Sequence, residues 1–179
     1  EMRALLDAMH RRNCEYYELA AEAPGEVVRS FEDTSTTLVS PALYREWCLQ
    51  QLRDYRDICH ARGKLFVPHM CGLLEGVLPE LRDTGLDGIE AVTPPPLGDP
   101  PIGLARRALG PDITLIGGLD PTQFVGATPD RARAMIQDVL SQIGDGRRTV
   151  LGHEEIHIKA DFESVRAIPD LLDECARLG

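Results

Sequence analysis

Apolar and polar positions change their period from segment to segment along this chain, and the changes mark out alternating helices and strands. From Glu1 to about Glu22 the residues are mostly good helix formers, and Pro24-Gly25 ends the run. Val27-Val28-Arg29-Ser30-Phe31 predicts a strand closing on Glu32-Asp33, with a polar loop from Thr34 to Thr37. Ser40-Pro41 supplies a capping hydroxyl and a proline at the first helical position. Tyr44, Cys48, Leu52, Tyr55 and Cys59 then recur at steps of three and four, so this helix buries one stripe before Gly63 ends it. Lys64 to Val67 predicts a second strand, Leu73 to Thr84 a shorter helix, and Gly88 to Val92 a third strand. Pro94-Pro95-Pro96 and Pro100-Pro101 make a stiff loop ahead of a helix from Gly103 to Leu109. Ile113 to Ile116 is a fourth strand, closing on Gly117-Gly118-Leu119-Asp120-Pro121. Thr128-Pro129-Asp130 opens a helix with Ala132, Met135, Ile136, Val139 and Ile143 on one face. Arg148 to Leu151 is a fifth strand, ending at Gly152-His153-Glu154-Glu155. A last helix starts near Asp161 and carries Phe162, Val165, Ile168, Leu172 and Cys175, with Pro169 as a kink point.

A helix followed by five strand–helix units with short connections predicts an α/β fold, its strands parallel and covered by helices. Two architectures fit: a doubly wound open sheet, and a piece of a (β/α)8 TIM barrel, which runs to roughly 250 residues when whole. The barrel piece is favoured. Polar residues sit at every strand's C-terminal end, where barrels place their chemistry. The chain also opens at Glu1 inside a helix, which reads as a cut or incomplete N-terminus. No linker or shift in composition divides residues 1–179, so one domain is expected.

Composition narrows the function classes. The 179 residues carry a formal net charge of −10, which argues against a nucleic-acid or anionic-membrane surface as the main partner. No apolar run approaches a membrane span and no signal peptide is visible. The five cysteines are odd in number and contain no C-x-x-C pair, which fits reduced, cytoplasmic usage.

The chemistry gathers at the strand ends. The run Leu65-Phe66-Val67 leads to His69-Met70-Cys71-Gly72. Residues two apart on an extended backbone point to one side, so His69 and Cys71 present an imidazole and a thiolate together. That is half of a zinc site; the alternative is a buried histidine beside an inert core cysteine. The first strand contributes Glu32 and Asp33, the third Glu90, the fourth Asp120, and the fifth His153, Glu154 and Glu155. His69, Cys71, Glu90 and Glu154 are the candidate metal ligands, though Glu90 suits slightly better an acid that orients one. Asp120, Glu32 and His153 are candidate catalytic groups. Asp120 before Pro121 also suits a helix cap, Glu32 a solvated loop, and His153 a surface histidine in a charged loop. Gly117 and Gly118 are the candidate cofactor-binding positions. His157 reads as structural or exposed, and His10 and His60 lie on helices away from the mouth.

These residues resemble the C-terminal part of the uroporphyrinogen decarboxylase superfamily, which includes the zinc-dependent corrinoid methyltransferases. The resemblance rests on Leu38-Val39-Ser40-Pro41, on His69-Met70-Cys71-Gly72, on Gly118-Leu119-Asp120-Pro121 with Thr128-Pro129 after it, and on the final strand-to-helix segment. It implies a (β/α)8 barrel of which this chain supplies about the last five units. It also implies zinc on His69 and Cys71, with a corrinoid such as methylcobalamin as co-substrate. In the methyltransferases a second cysteine at the end of the last strand completes the site. Here that segment reads Gly152-His153-Glu154-Glu155, so Glu154, His153 or Glu90 stands in, as a glutamate does in the related cobalamin-independent methionine synthases. Leu151-Gly152-His153 instead matches the decarboxylases, although their Gly-Ile-x-Pro continuation is absent.

Three functions follow as expectations. The first is zinc-dependent methyl transfer between a small-molecule donor or acceptor and a corrinoid, carried on a separate protein. The second is metal-free decarboxylation of a porphyrinogen-type acid, with His153 as the acid. The third is a non-catalytic binding domain whose open sheet edges are closed by a partner or by a homo-oligomer.

Overall fold

A computed structural model describes residues 1–33, 36, 38–153, 168–170 and 172–173, with the backbone alone at Asp33 and His153. Helix α1 (Met2–Glu22) leads into strands β1 (Val27–Val28) and β2 (Phe31–Asp33). Helices α2 (Pro41–Trp47) and α3 (Leu49–His60) follow, then β3 (Leu65–Phe66) and β4 (His69–Cys71). A 3-10 turn (Glu75–Val77), α4 (Leu78–Arg82), β5 (Gly88–Val92) and α5 (Ile102–Leu109) come next. The series continues with β6 (Thr114–Leu119), a second 3-10 turn (Pro121–Phe124), α6 (Pro129–Gln142) and β7 (Thr149–His153). The expected last helix lies largely outside the described residues, but Ile168–Asp170 are helical and Ile168 is buried.

Several predicted elements are interrupted, the first strand among them, which runs as β1 and β2. The second strand splits into β3 and β4 around Pro68, which has no N–H to give to the ladder. The chain holds its line across the gap: Val67 N donates to Val28 O at 3.0 Å, His69 N to Ser30 O at 2.9 Å, and Glu90 N to Pro68 O at 3.0 Å. The long helix bends at Cys48 (φ −101°), whose amide still donates to Tyr44 O at 2.9 Å. Its stripe stays buried on both sides of the bend, at Tyr44, Leu52, Tyr55 and Cys59. The segment after Cys71 forms an α-helix only from Leu78, because Pro79 fits a first helical turn and not an interior. Ser40 and Thr128 cap as expected, their hydroxyls accepting from Leu43 N and Arg131 N at 3.3 Å. Each such cap contributes about 1 kcal/mol.

All strand pairs among the described residues are parallel. The order is β1-β3 in one short section and β2-β4-β5-β6-β7 in the main sheet. Strands therefore lie side by side in chain order. A doubly wound sheet needs a reversal of that order, whereas a barrel winds one way. This order makes the sheet an arc of a (β/α) barrel.

One face of the arc is sealed. Phe66, Met70, Ile89 and Leu115 are fully buried in one cluster with Leu52, Leu81, Ile102 and Ile136 from the helices. The other face carries a row in register across five strands: Phe31, His69, Glu90, Ile116 and Val150. Such rows form the layers that fill a barrel's interior. Here Phe31 is 74% and Val150 53% exposed, so the row is open to solvent.

Candidate functional site

Strand alternation places His69 and Cys71 together on the open face, with fully buried Met70 between them pointing the other way. Gly72 takes φ +102° and turns the chain out of the strand. The next residues are pinned from the proline-rich loop, where Asp99 Oδ1 accepts from Leu74 N at 2.7 Å and Glu75 N at 3.0 Å. The Cys71 thiol donates to the backbone carbonyl of Glu32 at 3.6 Å.

Glu90 joins His69 from the neighbouring strand. His69 Nδ1 lies 2.9 Å from Glu90 Oε2, and Arg29 Nη1 lies 2.8 Å from Glu90 Oε1. Both carboxylate oxygens are thus engaged. The Arg29 guanidinium also sits 4.7 Å over the Phe31 ring, and that ring lies 5.2 Å from the His69 ring at a tilt of 40°. Arg29, Phe31 and Asp99 are not among the residues that the sequence pattern singles out. The available signal for Arg29 was a charged residue two positions before Phe31, and hence on the same face.

Glu32 lies on the opposite side of β2 from Phe31, so the strand-end acids do not all face one way. It pairs in register with Met70, not with His69 or Cys71, so its side chain belongs to the sealed face. It lines a cavity of about 390 Å³ with Asn13, Tyr17 and Tyr55 of the helices, and Arg29 and Phe31 line the same cavity. Burial pushes its carboxyl above the ordinary carboxylate range, and the Ser30 hydroxyl offsets part of that rise. The same burial raises Tyr17 to about 12. Asp33 pairs in register with Cys71.

Asp120 is 2% exposed and acts as a cap. Its Oδ1 accepts from Thr122 N at 2.7 Å and Thr122 Oγ1 at 2.6 Å, and its Oδ2 from Leu97 N at 3.2 Å. Packing within the protein accounts for Gly117 and Gly118. A Cβ on Gly117 would overlap the Val92 carbonyl oxygen, beside the point where Ala91 (φ +73°) bulges and the β5–β6 register shifts. A Cβ on Gly118 would lie 3.1 Å from Ile102 Cδ1 and 3.2 Å from Val139 Cγ1.

His153 pairs in register with Leu119 at the end of β7, its side chain outside the description. Glu154, Glu155 and His157 lie outside the described residues. His10 and His60 lie on helices, His10 Nε2 2.7 Å from Asp54 Oδ2 and His60 Nε2 2.7 Å from Asp87 Oδ2. The donors His69 and Cys71 suit zinc, one nitrogen and one sulfur on one face. Among the described residues, no three histidine, cysteine, aspartate or glutamate groups are placed to hold a metal ion, so these contribute at most part of a ligand set. Among the described residues, no helix is long and apolar enough to cross a membrane.

Comparison with known proteins agrees with the arc. The family model described as uroporphyrinogen decarboxylase (URO-D) matches residues 1–175. A uroporphyrinogen decarboxylase of Chromohalobacter salexigens is 29% identical over 178 residues, covering 93% of this chain and 48% of that protein. One from Shewanella halifaxensis is 31% identical over 125 residues, covering 67% of this chain and 33% of that protein. A methyltransferase from Methanosarcina mazei superposes with a TM-score of 0.73 at 20% identity, covering 94% of this chain and 48% of that one. The chain thus spans about half the length of the Chromohalobacter relative and of the superposed methyltransferase.

Proposed function

The chain belongs to the uroporphyrinogen decarboxylase family, and within it we propose that these residues are the C-terminal part of an enzyme of zinc-dependent methyl transfer. The observation that supports this reading is the His69–Cys71 pair, set on the open face of β4 with a carboxylate at the back of the imidazole. His69 and Cys71 would hold the ion. The set would be completed by a carboxylate at another strand end, with Asp33, in register with Cys71, and Glu154 as candidates. When bound, zinc supplies Lewis acidity that lowers the pKa of a thiol acceptor or polarises the oxygen of a methyl donor.

The chain's own residues do the positioning. Glu90 Oε2 lies 2.9 Å from His69 Nδ1, and by accepting from it would leave Nε2 as the ligating atom. Asp99 holds the turn after Cys71. Ile116 and Val150 continue the row as an apolar surface, against which a co-substrate would sit dry on one side. The other substrate would be a corrinoid carried by a separate protein. Metal analysis of the intact protein tests this. One zinc per chain is expected, lost in His69→Ala and Cys71→Ala. An intact protein that purifies without zinc and takes up none refutes it.

A second reading is favoured by the relatives, which are named uroporphyrinogen decarboxylases. A carboxyl group would leave as carbon dioxide, and the carbon left behind would take a proton from an acid, with His153 as the candidate. Incubation with uroporphyrinogen decides between the two. Coproporphyrinogen as product favours this second reading, and its absence together with bound zinc favours the first.

A further inference from the structure

We propose that Arg29 is a positioning residue for His69, acting through Glu90 and Phe31 to fix both the tautomer and the tilt of the imidazole. The inference rests on the reading of His69 as the chemical centre of the site. Four side chains form a closed circuit of contacts. Arg29 donates to Glu90, Glu90 meets His69 Nδ1, the His69 ring lies against Phe31, and Phe31 lies under the Arg29 guanidinium. Three of the four belong to one layer across the sheet, and Arg29 rises to them from two residues below Phe31.

Each contact restricts a different freedom. An ionised carboxylate is an acceptor only, so while Glu90 stays where Arg29 holds it the proton between Glu90 and His69 resides on Nδ1. That leaves the Nε2 lone pair as the donor atom. The hydrogen bond fixes rotation of the imidazole in its own plane, and the Phe31 face fixes its tilt. Without Arg29, Glu90 loses one of the two side-chain contacts that hold it at this place, and Phe31 loses the cation stacked on it. The Arg29 side chain is 44% exposed and that of Glu90 23%, so the pair acts by geometry more than by energy.

Nitrogen NMR of the His69 ring in the intact protein, at a pH where the imidazole is neutral, tests this without any metal. The wild type is expected to hold the Nδ1–H form alone. Arg29→Ala is expected to show both tautomers in exchange, and Arg29→Lys to restore much of the wild-type pattern. Zinc affinity, read by competition with a chromophoric chelator, is expected to fall in Arg29→Ala, by less than the roughly tenfold or greater loss that removing Glu90, the direct partner of the imidazole, would bring. A purely structural Arg29 would lower the melting temperature and leave the tautomer untouched. If Arg29→Ala unfolds, Arg29→Gln takes its place, with the same expectation. Wild-type tautomer populations in a folded Arg29 variant overturn the inference, whatever the zinc result. A tautomer shift in a protein that binds no zinc upholds it and refutes the metal reading instead.

Discussion

The carboxylate of Asp99 and the backbone amide of Leu74 meet at 2.7 Å, joining the proline-rich loop to the turn that follows Cys71. The same oxygen also takes the Glu75 amide. Two donors at the start of a 3-10 turn are thus satisfied from 24 and 25 residues away. Asp99→Ala should destabilise the fold by about 1–2 kcal/mol, the range for losing a capping side chain. Hydrogen exchange should show faster loss of the Leu74 and Glu75 amides. Unchanged protection at both would mean that the loop is held by other contacts.

Gly117 and Gly126 separate two costs of replacing a glycine. Both have positive φ, +141° and +66°. At Gly126 an added Cβ meets nothing within 4 Å, so Gly126→Ala should cost only the backbone strain, about 1 kcal/mol. At Gly117 the Cβ would overlap the Val92 carbonyl oxygen and sit 2.9 Å from the Val92 amide nitrogen, atoms that cannot rotate away. Gly117→Ala should therefore cost roughly 3 kcal/mol. Equal melting temperatures for the two variants would show that β5 and β6 are not as close as described.

Local patterns carried much of this fold into view. The helix stripes, the hydroxyl caps at Ser40 and Thr128 and the strand alternation at His69 and Cys71 each depend on residues close together in the chain. The same alternation separates Glu32 from Asp33, since adjacent strand residues cannot face one way. The break at Pro68 follows from its missing N–H. The face on which Arg29 lies was legible from its spacing to Phe31, but its partner was not, because Glu90 lies 61 residues further on and no local period encodes that meeting. The choice between barrel arc and doubly wound sheet likewise depended on strand order, which is a long-range property.

Arg106 braces the N-terminal ends of β6 and β7. Its Nη1 donates to Gly110 O at 3.0 Å and Ile113 O at 2.7 Å, and its Nη2 to Arg148 O at 2.6 Å and Thr149 Oγ1 at 3.2 Å. Burial, with Arg148 nearby, lowers its pKa from the usual arginine value. A planar fork reaches these acceptors together, and an ammonium cannot. Arg106→Lys should cost about 2 kcal/mol in urea unfolding, nearly as much as Arg106→Ala. A lysine variant as stable as the wild type would remove the argument from geometry.

Glu32 gives stability a pH dependence of known sign. Its carboxyl holds a proton more tightly folded than unfolded, because burial disfavours the charge. The associated stability is fully present below the unfolded value, about 4.3, and is lost as pH rises through the higher folded value. Glu32→Gln keeps the shape without the charge. Its stability relative to wild type should therefore improve between about pH 4 and about pH 7. Urea midpoints at the two pH values measure this, and a constant difference would count against a buried carboxyl.

Side-by-side strand order also bears on how the protein assembles. Each strand finds its partner one unit away in the chain, so the loops closed at each step stay short and their entropy cost changes little from one to the next. A ribosome releasing such units in sequence can let each dock as it emerges, without waiting for residues still to be made.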